Sequence, residues 1–373
     1  MGDPHRLTRQ QARRIAVRAQ QLVDERPGDL LDLVRHLTFL QDDPTAAIAP
    51  SAHVVAWSRL GASYRRAELD ESVAAGDLID LHQLLRPAED LALYRAEMAA
   101  WPGVGELKEW EHALARWVEA NDDCRRDILD KLYDEGPLTT RELPDVTLVP
   151  WRSSGWNDDR NVRMLLSMMV QRGEVASAGR DGRERLWDLA ERVYPDVEPV
   201  PLTDALRIRD ERRLAALGIA RARSTQVPGD PNHVGEAGEP AVVEGVRGTW
   251  RVDPAYLDDR PFEPRTALLS PLDRLVYDRK RMAELFEFDY QLEMYKPTSK
   301  RRWGYWAMPV LHGDRLVGKV DATAERDRGV LRVDALHEDE PFSAEETAAV
   351  VAELGSLARW LDLELESAHP ALA

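Results

Sequence analysis

The 373-residue sequence predicts a mainly α protein with β-hairpins, a winged helix-turn-helix near its middle and a C-terminal α+β portion. Three observations carry that class. From Asp123 to about Leu189 the apolar spacing gives a helix, a short helix, a longer helix and an arginine-tipped hairpin, the order of a winged helix. Upstream, apolar residues recur mostly at helical spacing. Downstream of residue 290, strand-like runs and tight turns precede one last helix.

Taken in order, Thr8-Arg9-Gln10-Gln11 is a capping box that opens a helix. Ala12, Ile15, Ala16, Ala19, Leu22 and Val23 form its apolar stripe, and Pro27-Gly28 stops it. Leu30, Leu31, Val34 and Leu37 mark a second short helix. Phe39-Leu40-Gln41-Asp42-Asp43-Pro44 reads as a strand or loop closed by proline. His53 to Leu60 starts another helical stretch, and the chain to about Met98 reads as mixed helical.

In the middle region, Ile128, Leu129, Leu132 and Tyr133 share a helix face that ends at Gly136-Pro137. Thr139-Thr140-Arg141-Glu142 is a second capping box, predicting a short helix before Pro144. Asn157 is the expected cap of a third helix with the stripe Val162, Leu165, Leu166, Met169 and Val170. Gly179-Arg180-Asp181-Gly182 then signals a hairpin turn. Residues 224–240, with three glycines and three prolines, read as a linker. Strands are expected at 290–295, 303–311, 315–321 and 330–335. Ser343-Ala344-Glu345-Glu346 caps the final helix.

Composition narrows the functional classes. A hydrophobic fraction of 43% is globular, and the length suits two or three domains. One cysteine, Cys124, excludes an internal disulfide and any multi-cysteine zinc site. No signal-peptide or membrane-length apolar run occurs, so a soluble intracellular protein is expected. The formal charge of −17 counts against nucleic acid until its distribution is considered. Before Gln20, five arginines face only Asp3, whereas from Leu311 onward six basic residues face fourteen acidic ones. Only six of the 50 basic residues are lysines. Arginine suits phosphate through its bidentate fork, although codon bias also enriches it.

Several enzyme signatures fail. Gly313-Asp314-Arg315-Leu316-Val317-Gly318-Lys319-Val320 mimics a phosphate loop but has valine at the Mg²⁺-binding position and lies in an expected hairpin. Gly103-Val104-Gly105 lacks a third glycine. The nine histidines are dispersed, so no metal site is legible and no cofactor is expected. Two basic patches suit a phosphate backbone, with solvated surface as the competing reading of each: Arg160 and Arg163 with Arg180, Arg183 and Arg185 on the wing, and residues 296–303, which include Lys300, Arg301 and Arg302 beside Trp303 and Tyr305. Arg152, between Trp151 and Ser153, adds to the first patch. Gln41 and Asp43 could hold a water and stabilise a sugar oxocarbenium ion, because residues i and i+2 of an extended segment share a face. By residue type alone, ordinary turn chemistry is the preferred reading of Asp-Asp-Pro.

Segments 40–44, 52–61, 149–156 and 269–279, extended by Phe286-Glu287-Phe288-Asp289-Tyr290 and Arg302-Trp303-Gly304-Tyr305-Trp306, together resemble the winged-helix DNA glycosylases of the AlkZ/YcaQ type. The resemblance runs in order along nearly the whole chain. It implies three tandem winged helices around a DNA-binding channel, expected at residues 1–120, 121–200 and 201–373, the last with the α+β portion. It also implies a catalytic Gln-x-Asp pair, here Gln41 and Asp43, with Asp42 at a middle position that is usually apolar. The expected activity is hydrolysis of the N-glycosidic bond of N7- or N3-alkylated purines in double-stranded DNA, without strand cleavage and extending to interstrand crosslinks. Arg152, Arg160, Arg163, Arg180, Arg183, Lys300, Arg301 and Arg302 would grip phosphates. A monomeric, cytoplasmic, nucleoid-associated enzyme without metal is the expectation. A winged-helix regulator without catalysis and a protein-interaction scaffold are the competing readings.

Overall fold

The structure, a computed structural model, describes residues 3–152, 160–182, 184–224, 230–258 and 260–367. The described chain separates into two compact units, residues 1–69 with 210–373, and residues 70–209. Strands occur throughout both, so the fold is mixed α/β rather than mainly α.

In the first unit, Thr8 caps the helix Arg9–Ala19 as its pattern requires. Its hydroxyl accepts from the Gln11 amide at 3.1 Å, and the Gln11 side chain accepts from the Thr8 amide at 2.8 Å. Ile15, Ala16 and Ala19 are buried on one face. The arginines of this helix are bound within the unit rather than left as an open patch. Arg9 pairs with Glu287, Arg14 with Asp314 at 3.0 Å, and Arg18 with Asp258 at 2.8 Å.

The helix packs on a four-stranded sheet in the order His5–Leu7, Glu239–Val243, Trp250–Val252, Ile219–Ala220. Leu7, Ile15, Ile219, Trp250, Leu275 and Leu285 belong to one shared core. A five-stranded sheet follows the order Thr266–Leu268, Met308–His312, Arg315–Glu325, Val330–Glu338, Glu364–Ser367. The last strand joins in parallel and the others are antiparallel. The helix Ala344–Trp360 returns the chain to it, with Ser343 and Glu346 closing the capping box expected there. His312 pairs with Arg315 across the tight turn, so the phosphate-loop mimic is hairpin, as its sequence context indicated.

The expected strand at residues 290–295 is absent, and the next begins at Met308 rather than 303. Inward-facing Glu293 explains this. Its carboxylate accepts from the backbone amides of Arg302 at 2.6 Å and Trp303 at 2.8 Å, and from Lys296 Nζ at 2.8 Å. The Arg302 and Trp303 amides, at the start of the second expected strand, are thus bound to a side chain rather than a ladder, and residues 287–307 contain no strand, only the short 3-10 turn Thr298–Lys300.

In the second unit, the helix Asp122–Glu135 buries Cys124, Ile128 and Leu132. The strand Leu138–Thr139 comes next, and the helix Asn161–Gln171 follows, turning Val162, Leu165, Leu166 and Met169 inward. Strands Val175–Asp181 and Glu184–Leu189 form the expected hairpin. Leu138–Thr139 pairs with the second hairpin strand, giving the order first, third, second.

Three details differ from the sequence reading. Thr139 and Glu142 do bond, at 2.8 and 2.7 Å, but they close a turn rather than a helix, because Leu138 and Thr139 are already committed to the sheet. Asn157, the expected cap, lies outside the described residues. The next helix starts at Asn161, whose side chain accepts from the Trp151 amide at 2.9 Å. Last, the stretch read as helical to Met98 contains a hairpin, Leu78–Leu81 with Leu84–Pro87. His82 and Gln83 make its turn with φ of 59° and 63°, without the glycine or asparagine that normally announces such a turn. The Asp80 carboxylate, accepting from the Gln83 amide at 2.8 Å, stabilises it.

Candidate active site and basic surfaces

Gln41 and Asp43 follow the helix Leu30–Leu37, which Asp29 caps through the Asp32 amide at 2.8 Å. Thr38 ends that helix in the left-handed region at φ 70°. The chain then forms the strand Leu40–Gln41, with Leu40 buried and residues 41–43 half-buried.

Strand geometry stops at Gln41. The Asp43 amide donates to the Gln41 carbonyl at 3.0 Å, a three-residue turn instead of the continuous extended segment expected. Asp43 Oδ1 accepts from the Thr45 amide at 2.8 Å. Among the described residues Oδ2 has no hydrogen-bond partner, and neither has the Gln41 side-chain amide. One carboxylate oxygen is thus fixed by backbone while the other is available to a ligand or water.

The helix Ser51–Leu60 stands behind this turn, and its charge is locked inside. Arg59 and Asp273, both 0% exposed at their side chains, form a bidentate pair, with Arg59 Nη2 to Asp273 Oδ1 at 3.0 Å. Asp273 also accepts from the Leu275 amide, capping the helix Arg274–Tyr277. Ser51 and Ser270 share a hydrogen bond of 2.8 Å. Segments 51–60 and 269–279, distant in sequence, are therefore one buried polar assembly. His53 Nδ1 and the Tyr64 hydroxyl share a 2.8 Å hydrogen bond, and Trp360 stacks on both Trp57 and Tyr64.

Segments 286–290 and 302–306 meet in a ladder of rings. Phe288, Tyr290 and Trp303 stack at 6.1 and 6.0 Å, flanked by Arg279 over Tyr290, Arg302 over Trp303 and Lys319 over Phe288. Gly304 lies at φ 125°, and a Cβ there would overlap the Asp321 carboxylate. Only glycine fits. Glu293 anchors the same loop. Burial raises its pKa, but Lys296 and the Trp303 and Arg302 amides outweigh that and hold it below the usual carboxylate range.

The basic residues singled out from sequence fare differently. Arg152, Arg160 and Arg163 are exposed, and Arg180 is exposed on the hairpin. Arg183 lies outside the described residues. Arg185 is not an open wing residue: it pairs with Asp80 at 2.9 Å and lies over Trp187. Lys300 is exposed. Arg301 donates to the Lys296 carbonyl at 3.0 Å and lies over Tyr305, and Arg302 pairs with Asp289 at 2.8 Å. Tyr295 and Tyr305, 80% and 40% exposed, flank this loop. Sequence reasoning placed Arg59, Asp273 and Gly304 in motifs without seeing their roles, and it missed Glu293. A lone glutamate between aromatic residues gives no periodic signal.

Residues 34–360 match the family model for "DNA glycosylase AlkZ-like". The chain belongs to the AlkZ-like DNA glycosylase family. Its structure is similar to that of Streptomyces sahachiroi DNA glycosylase AlkZ, with a TM-score of 0.63 and 18% identity, covering 97% of this chain and 100% of that one. The matched region of this glycosylase contains the Gln41–Asp43 turn, the Arg59–Asp273 pair and the aromatic ladder. DNA is the substrate that membership implies. Among the described residues no helix is long and apolar enough to cross a membrane, and no cluster of three or more potential metal ligands occurs.

Proposed function

We propose that this glycosylase hydrolyses the N-glycosidic bond of N7- or N3-alkylated purines in double-stranded DNA, with Asp43 and Gln41 as its catalytic residues. Alkylation places positive charge on the purine, so breaking the C1′–N bond releases a neutral base and leaves an oxocarbenium ion on the sugar. The carboxylate of Asp43 stabilises that ion and takes a proton from the water that adds to C1′. Gln41, two residues earlier, orients the water. The observation that carries this reading is Asp43 itself, with Oδ1 fixed by the Thr45 amide and Oδ2 unpartnered among the described residues.

In this reading the enzyme is monofunctional and forms no Schiff base. The buried lysine, Lys319, has its ammonium bound to Asp339 and lies over Phe288 and Trp303. Extension of the same chemistry to crosslinked purines is part of this reading. The enzyme acts as an intracellular, nucleoid-associated monomer.

Winged helices at residues 1–120, 121–200 and 201–373 are the DNA-binding frame in this reading. Two sheets support it by sharing one order, first, third, second: Leu138–Thr139 with its hairpin, and Ile219–Ala220 with Trp250–Val252 and Glu239–Val243. Arg152, Arg160, Arg163, Arg180, Arg183, Lys300, Arg301 and Arg302 contact phosphates.

The test is a duplex with one N7-methylguanine, incubated with and without the enzyme and then treated at neutral pH with an abasic-site endonuclease, because hot alkali cleaves at N7-methylguanine by itself. Scission at that nucleotide only after both enzyme and endonuclease is expected. Scission by the enzyme alone would refute the monofunctional reading, and none after the endonuclease would refute the substrate.

A further inference from the structure

We propose that Arg274 is a positioning residue for base excision, setting the backbone that presents Gln41 and Asp43. The proposal rests on the catalytic assignment of that pair.

Four contacts converge on this guanidinium. Nη1 donates to the Leu37 carbonyl and to Thr38 Oγ1, the latter at 2.6 Å. The group lies over the Phe39 ring at 4.5 Å. On the other side, Nη2 meets Asp230 Oδ2 at 3.3 Å. Asp230 is itself held by Arg213 Nε at 2.9 Å, and Arg213 pairs further with Asp210 at 2.5 Å. Arg274 is only 10% exposed at its side chain.

The three residues touched are consecutive and immediately precede the strand Leu40–Gln41. Leu37 is the last residue of its helix, so its carbonyl has no acceptor role inside the helix. Thr38 is β-branched yet sits at φ 70°, a conformation such residues rarely adopt unless the surroundings impose it. Arg274 supplies that imposition by binding the carbonyl before Thr38, its hydroxyl and the ring after it. Its own position is fixed because Asp273, the preceding residue, is locked to Arg59. A planar fork is required: one edge binds the helix end and the other binds Asp230, which a single ammonium cannot reproduce. Since small misplacements of reacting groups cost orders of magnitude in rate, loss of this clamp acts on the chemical step.

The experiment measures single-turnover excision from the N7-methylguanine duplex, duplex affinity and melting temperature for wild type, Arg274→Ala, Arg274→Lys and Asp230→Asn. Arg274→Ala is expected to slow excision about 10- to 100-fold while affinity stays within about threefold. Arg274→Lys restores little of the rate. If Arg274→Ala does not fold, Asp230→Asn tests the same clamp, with a smaller slowing at unchanged affinity expected. In an Asp43→Asn background, Arg274→Ala adds little further loss, because it acts through the pair. Rates at wild-type level, full rescue by lysine, or a rate that falls only in step with affinity would each overturn the proposal. An inert wild type or a fully active Asp43→Asn would instead overturn the catalytic assignment.

Discussion

Around Gln41 and Asp43 the charged side chains are buried and bound to one another, Arg59 to Asp273 and Arg274 to Asp230. On the helix Asn161–Gln171 and the hairpin after it, Arg163 and Arg180 are exposed, and apolar residues of the helix lie beneath. In the first region charge fixes backbone, and a missing partner leaves a buried ion. In the second, charge is displayed, and in the proposed reading its value is the electrostatic attraction it offers to phosphate. Arginine of the same sequence appearance therefore occupies two settings, and substitutions test whether the exposed ones grip phosphate as proposed.

The largest effect is expected at the buried pair. Asp273→Ala strands the Arg59 guanidinium at zero exposure and removes a helix cap, so it should destabilise the protein by about 3–5 kcal/mol, read from chemical denaturation. A loss no greater than that of a surface substitution would show that the pair is not what holds these segments.

Glu293→Gln should come next, weakening the loop by about 1–3 kcal/mol through its charged hydrogen bonds. The same anchor has a predictable pH dependence. Because the folded carboxylate titrates below its ordinary value, its contribution is complete above the unfolded pKa of about 4.3 and is lost as pH falls through the lower folded value. Tryptophan emission that changes between pH 7 and 5, and that Glu293→Gln abolishes, would contradict this assignment.

The smallest effect separates displayed from internal charge. Arg163→Ala should reduce the slope of log affinity against log salt by about 1, as one phosphate contact is lost. Arg185→Ala, whose side chain is spent on Asp80, should leave that slope unchanged while lowering the melting temperature. Equal slopes for both variants would erase the distinction.

Much of this architecture was readable from sequence where a local rule suffices. Thr8 and Ser343 cap helices because a hydroxyl and a side-chain acceptor three residues on satisfy the same amides in any context. The Val162–Val170 stripe and the hairpin after it likewise needed no tertiary information, although Gly179–Asp181, read as part of the turn, lie in the first strand, where Arg180 pairs with Arg185. The candidacy of Gln41 and Asp43 comes only from their place in a motif, since Asp-Asp-Pro by itself is a turn. Readings failed where a distant partner decides: Glu293 removes a strand by capturing amides nine and ten residues away, and Asp80 both turns a hairpin lacking glycine and neutralises Arg185. The basic N-terminus was an overcount of the same kind, its arginines being bound to Glu287, Asp314 and Asp258.

In the proposed reading chemistry resides in the Gln41–Asp43 turn while binding resides in the displayed charges. Asp43→Asn tests it most directly, with single-turnover excision of N7-methylguanine and duplex affinity measured on the same preparation. The expected result is a loss of excision rate of about 10²–10⁴-fold with affinity at the wild-type level. Excision that persists at the wild-type rate would contradict it.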